Sequence, residues 1–169
     1  MSSRFMLLVA AIGFLGAAIV PAWAEEANPA ALAAAMKNAS ATLQGGLKAS
    51  EAQGTPISAK FEIEDGKLQL SVYTMKGDKF SEVIVDHKTG KVAKTEGITE
   101  GDDLSHAKAQ SEAMAKAKRS LEAAASEAAK ANKGYRVISV MPTLKDGHPV
   151  ADVTLVKGAD WKTVSEKLD

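Results

Sequence analysis

A short pattern recurs 81 positions apart in this chain, and it constrains the fold more than any other feature. The first copy reads Ile57-Ser58, Asp65-Gly66, Val72, Lys76-Gly77, Phe80 and Val83. The second reads Ile138-Ser139, Asp146-Gly147, Val153, Lys157-Gly158, Trp161 and Val164. Every step between landmarks has the same length in both copies, and each copy follows an alanine-rich stretch. Fixed-period self-similarity points to one supersecondary unit used twice.

The unit's content follows from local patterning. Asn28-Pro29 is a good helix start, because Asn caps well and Pro at the first helical position gives up a bond that is not made there. Leu32, Met36, Ala39, Leu43 and Leu47 then recur every three or four residues on one helical face. Gly45-Gly46 weakens that helix, and Gly54-Thr55-Pro56 ends it. Residues 57–64 alternate apolar and charged side chains, and Asp65-Gly66 suits the positive dihedrals of a tight hairpin turn. Leu68, Leu70 and Val72 face one way, with Gln69, Ser71 and Tyr73 facing the other. Lys76-Gly77-Asp78-Lys79 turns into a third strand over 80–86, and a short fourth strand is expected over 91–95.

A second helix is predicted over 104–132. Its stripe is Ala107, Met114, Ala117, Leu121, Ala124, Ala128 and Ala131. Strands resume at 135–144 and 150–156, and residues 161–168 form a last strand or a helical turn. Pro142 and Pro149 predict an irregular or edge strand in the second copy. The expected fold is therefore α+β: two repeated units, each a helix packed on a three- to four-stranded antiparallel sheet. The first unit spans 25–96, a linker 97–103, and the second unit 104–169.

Residues 1–24 carry the parts of a secretory signal peptide. Arg4 supplies positive charge, residues 5–20 are apolar, and Ala22-Trp23-Ala24 offers a cleavage site. The apolar run is short for a membrane span, which needs about 20 residues. The expected location is the bacterial periplasm or secreted space, with no stable span after cleavage. The chain has no cysteine, which excludes disulfides, thiolate metal sites and a lipid-modified cysteine. Its 21 basic and 21 acidic side chains leave no basic block, which argues against nucleic acid as a partner.

The first copy, over 43–93, resembles a PepSY domain. The resemblance rests on a helix before a three-stranded meander, Asp65-Gly66 at the first turn and Val72-Tyr73 in the second strand. Its closing segment is Val85-Asp86-His87-Lys88-Thr89-Gly90-Lys91-Val92. The second copy lacks the Thr-Gly closing turn. The resemblance implies an exported, cystatin-like module, often paired, without catalytic residues, in a family for which restraint of peptidases has been proposed.

Reactive clusters are absent from the sequence pattern. His87, His106 and His148 lie on separate elements, and His87 and Asp86 point to opposite faces of a strand. No Gly-x-Ser-x-Gly elbow or phosphate loop occurs. The chain therefore reads as a non-enzyme with no cofactor and no metal site, engaging a protein or peptide. The alternative is a carrier of a small ligand or metal. Candidate contact residues are Glu62 and Glu64, which share a strand face, Tyr73 opposite the apolar side of its strand, and Trp161. Phe80 and Trp161 occupy equivalent repeat positions and are expected to fill matching core sites under the helices.

Overall fold

The computed structural model describes residues 28–169. The expected signal peptide, residues 1–24, lies outside the described residues. The described chain is α+β, with four α-helices and seven strands. Helix α1 spans Pro29–Ala35, a single 3-10 turn Met36–Asn38, and α2 Leu43–Ser50. Strands β1 (Thr55–Glu64), β2 (Lys67–Lys76), β3 (Lys79–Val85) and β4 (Val92–Ile98) follow. Helices α3 (Gly101–Ala115) and α4 (Leu121–Ala131) precede β5 (Arg136–Lys145), β6 (His148–Lys157) and β7 (Asp160–Lys167).

The strands form one antiparallel sheet in the order β4-β3-β2-β1-β5-β6-β7, not the two separate sheets expected. The halves meet where β1 lies beside β5, through only two residue pairs, Ala59 with Val140 and Lys60 with Ser139. Val140 is the position 81 residues after Ala59. Pro142 follows this seam and has no N–H to extend it. β5 is thus a central strand, paired with β6 along its length apart from one slip and barely joined to β1, where an irregular or edge strand was expected near Pro142.

Like backbone features fall at the landmark positions of both copies. The ladder slips at Ile57 in β1 and at Ile138 in β5. Asp65 and Asp146 both have positive φ, as do Gly66, Gly147, Gly77 and Gly158. The carbonyl of His87 accepts the N–H groups of Ser40 and Ala41, both at 2.9 Å. The carbonyl of Leu168 accepts those of Lys118 and Arg119, at 2.6 and 3.0 Å. In each case the next hydroxyl residue caps a helix: Thr42 accepts from Gly45 N–H at 3.0 Å, and Ser120 from Ala123 N–H at 3.1 Å.

These bonds explain why neither long helix forms. The first breaks at 39–42 rather than at Gly45-Gly46, because the Ser40 and Ala41 amides are turned toward His87. Arg136 completes the break from the other half of the chain. Its guanidinium donates to the carbonyls of Met36 (2.7 Å), Ala39 (3.0 Å) and Ala41 (3.0 Å). The stretch expected as a single helix over 104–132 breaks at 116–120, where Leu168 takes the Lys118 and Arg119 amides. The linker also shrinks, because β4 runs to Ile98 and α3 starts at Gly101.

The two helices made by the second break lie on opposite sides of the sheet. Helices α1, α2 and α4 cover one face. Leu32, Met36, Leu43, Leu47, Leu121, Ala124 and Ala128 meet Ala59, Phe61, Leu70, Val72, Val83, Val140 and Val153 there in one core. Helix α3 crosses the other face. Its Gln110 accepts from Ser58 Oγ at 2.7 Å, and its Asp103 accepts from Tyr73 Oη at 2.7 Å. The predicted single stripe is accordingly split, with Ala107 and Ala113 buried on α3 and Leu121, Ala124, Ala125 and Ala128 buried on α4.

Gly46 of α2 lies close against Leu70 of the sheet. A Cβ there would stand 2.5 Å from Leu70 Cδ2, and Leu70 is fully buried. Overpacking of about 1–3 kcal/mol outweighs the gain of about 1 kcal/mol from replacing a helical glycine. Gly46→Ala is therefore expected to lower stability by about 1 kcal/mol in urea denaturation. Arg136→Ala removes three hydrogen bonds and is expected to lower it by about 3 kcal/mol. Arg136→Lys should recover less than half of that, because an ammonium lacks the planar fork.

Candidate partner-binding face

The sheet face crossed by α3 is polar where α3 leaves it bare, over β2, β3 and β4. Side chains alternate along each strand, so Lys60, Glu62 and Glu64 of β1 share this face with Gln69, Ser71 and Tyr73 of β2. Register then adds Phe80, Glu82 and Ile84 of β3, with Lys94 and Glu96 of β4. The turn at Lys76-Gly77-Asp78-Lys79 sets Tyr73 opposite Glu82, and the Asp65-Gly66 turn sets Glu62 opposite Gln69.

A hydrogen-bonded network covers the middle of this face. Ser71 Oγ donates to Glu62 at 2.6 Å, and Gln69 Nε2 donates to Glu64 at 3.0 Å and to Ser71 Oγ at 2.9 Å. Lys60 pairs with Glu62 at 2.5 Å. Carboxylate oxygens of Glu62, Glu64 and Glu82 all lie within 4.8 Å of one another. Glu62 and Glu82 are partly buried and Glu64 is exposed.

Of the three carboxylates, Glu82 has a disturbed titration. Burial holds the Glu82 carboxyl above its ordinary range. The charges of Glu62 and Glu64 act in the same direction, while hydrogen bonding by Ser71 and the charge of Lys60 oppose it. Burial also pushes the Tyr73 hydroxyl up, reinforced by its hydrogen bond to Asp103 and by the charges of Asp103, Glu82 and Glu62. Tyr73 is therefore a neutral donor at physiological pH. Chemically, the face offers concentrated negative charge, carboxylate acceptors and an aromatic ring at its α3 margin. A cationic group fits it.

Of the four contact residues predicted from sequence, three come together. Glu62 and Glu64 lie side by side on β1, and Tyr73 lies on the adjacent strand. Trp161 does not join them. It sits on β7, three strands from β1, opposite Val156. Phe80 also does not fill a core site under the helices. The ladder puts Phe80 on the same face as Glu82 and Ile84, and Trp161 on the same face as Val156, partly buried at the margin of the core cluster. Glu82 is the residue missed by sequence reasoning. The two-residue turn before β3 carries the signal, since it fixes Glu82 opposite Tyr73.

The histidines remain apart. His87 lies in the turn after β3, His106 is exposed on α3, and His148 begins β6, 3.0 Å from Asp169. A separate cleft of about 500 Å3 lies between the C-terminal end of α2 and the α3–α4 connection. Leu47, Pro56, Met114, Ala117, Arg119 and Leu121 line it.

No family model matches this chain, and no curated protein is similar to it. Among solved structures, a chain named "putative lipoprotein" from Clostridium difficile 630 is similar at 14% identity and a TM-score of 0.39. The match covers 72% of this chain and 80% of that one. At that level the likeness carries no argument about fold or function. Among the described residues, no helix is long and apolar enough to cross a membrane.

The raised Glu82 titration gives a sign for pH dependence. A carboxyl whose folded-state pKa is raised contributes stability below the ordinary carboxylate range, and that contribution is lost as pH rises through the raised value. Charged Glu82 thus opposes folding at neutral pH. Glu82→Gln is expected to raise the thermal midpoint at pH 7 and to leave it unchanged near pH 3, as followed by circular dichroism.

Proposed function

We propose that this chain is a non-enzymatic exported binding module, of the PepSY type, that engages a basic segment of a protein or peptide on the face of β1, β2 and β3. The observation that carries this reading is the Glu62–Glu64–Glu82 cluster on a face that α3 leaves open. A lysine- or arginine-rich strand laid across that face meets three carboxylates and the Tyr73 ring, through charge-assisted hydrogen bonds and cation–π contact. Restraint of a peptidase is one form such engagement takes under the PepSY reading. The like features at positions 81 apart support a duplicated unit, and only the first half carries the cluster: positions 81 after Glu62, Glu64 and Glu82 are Thr143, Lys145 and Thr163. Periplasmic or secreted placement rests on the residue 1–24 pattern and the absence of cysteine.

The test is calorimetry with a Lys/Arg-rich peptide at low and high salt. Micromolar binding that weakens with salt is expected, with a loss of at least about tenfold in the Glu62→Gln, Glu64→Gln double variant, since each tenfold is about 1.4 kcal/mol. An absence of binding, or binding unchanged in the double variant, overturns the reading.

The cleft beside α2 supports a second reading, a small-ligand carrier. Its lining combines apolar Leu47, Met114 and Leu121 with charged Glu51, Arg119 and Glu122. Native mass spectrometry of protein purified gently from its producing cells is expected, on that reading, to show a bound small molecule that Met114→Trp excludes. A bare protein mass rejects it.

A further inference from the structure

The two ends of the sheet differ in how they are finished. At one end, the side chains of β7 are tied back onto their own half of the molecule. Ser165 bonds Asp152 and Lys145, Thr163 bonds Thr154, and Lys162 lies over the Tyr135 ring, 4.3 Å from its centroid. At the other end, β4 pairs only with β3, and residues 93–97 are all exposed. A strand edge of this kind is a template for another strand.

The sequence of that edge is self-complementary. In an antiparallel pairing of two β4 strands about a two-fold axis through Thr95, Lys94 lies opposite Glu96 of the second copy, and Glu96 opposite Lys94. Thr95 meets Thr95, and Ala93 meets Gly97. Lys94 and Glu96 lie on the same sheet face and already pair within one chain at 2.7 Å. A second copy turns that pair into a square of four alternating charges. Neighbouring two-fold registers lack this match: an axis through Lys94 sets Lys94 against Lys94, and one through Glu96 sets Glu96 against Glu96. Like charges directly opposite destabilise a strand pair.

We propose that two copies of this chain associate through β4, antiparallel and centred on Thr95, extending the sheet across the dimer. The contact is isologous, as two-fold symmetry requires. It repeats between molecules the edge-to-edge join that β1 and β5 make within one. The ladder is short, so the complex is weak and concentration-dependent, and the charges set its register more than its strength. It leaves the Glu62–Glu64–Glu82 cluster uncovered and is independent of what binds there.

The test is sedimentation velocity on the protein purified as the cell processes it, from about 5 to about 500 μM, a range that covers weak complexes of this size. A monomer–dimer equilibrium is expected. Lys94→Glu and Glu96→Lys, each checked for native circular dichroism, should each weaken it at least about tenfold. The double variant carrying both changes restores the complementarity and should return to within about threefold of the starting chain. Purely monomeric protein at the highest concentration overturns the proposal. So does a dimer that neither single change weakens, or one that the double change fails to restore. Growth beyond the dimer indicates head-to-tail pairing of β4 with β7 and overturns it as well.

Discussion

Arg136 of β5 donates to three backbone carbonyls at the junction of α1 and α2, and of these only Met36 also accepts a bond from within the turn, from the Ala39 N–H. A guanidinium presents several donors in one plane and always carries its charge, so it can close a broken helix end as no other side chain can. The position matters as much as the chemistry. Arg136 belongs to the second half of the chain, while Met36, Ala39 and Ala41 belong to the first. Between those halves the sheet itself supplies only two residue pairs. The contact of α2 with α4, where Gln44 Nε2 reaches the Ala125 carbonyl at 3.4 Å, extends the same tie above the sheet. The core that spans β1 and β5 rests on these bonds holding the helices over the seam.

That arrangement divides the two faces of the sheet by purpose. One face is sealed by α1, α2 and α4, with small residues letting the helices sit low: Gly46 over Leu70, and the alanines of α4 over β5 and β6. The other face has α3 alone. α3 lies over β1, β5 and β6, and it holds the sheet through polar contacts, Ser58 to Gln110 and Tyr73 to Asp103. The polar rows of β2 and β3 are left accessible, and the first half concentrates acids there. The two halves of the sheet thus carry different surfaces, with the acids concentrated on the first.

The hairpins were legible in the sequence because their turns have a local cause. Asp65-Gly66 and Asp146-Gly147 adopt positive φ at both positions, a conformation that few other residue pairs accept. From those turns the register follows, and so does the shared face of Glu62, Glu64 and Tyr73. The helix breaks were not legible. Leu32 to Leu47 keep a continuous helical period through 39–42, and the alanines do so through 116–120. What interrupts them is a carbonyl about 50 residues away in each case, His87 or Leu168, which no local pattern contains. The single sheet was hidden for a related reason. Ala59 and Val140 carry no mark that distinguishes a seam from an edge. The side of the sheet occupied by Phe80 was misread because an aromatic residue at a repeated position suggests a core, whereas strand parity sends it to the opposite face.

The central claim is that the narrow seam, braced by Arg136, makes one cooperative structure of the two halves. Native-state hydrogen exchange at increasing urea tests it directly, by comparing the amides of β2 and β3 with those of β6 and β7. If the halves are one unit, the most protected amides of both sets exchange through a common global opening, with the same free energy and the same urea dependence. If one set opens at distinctly lower urea while the other stays protected, the halves fold independently and the account of the seam is wrong.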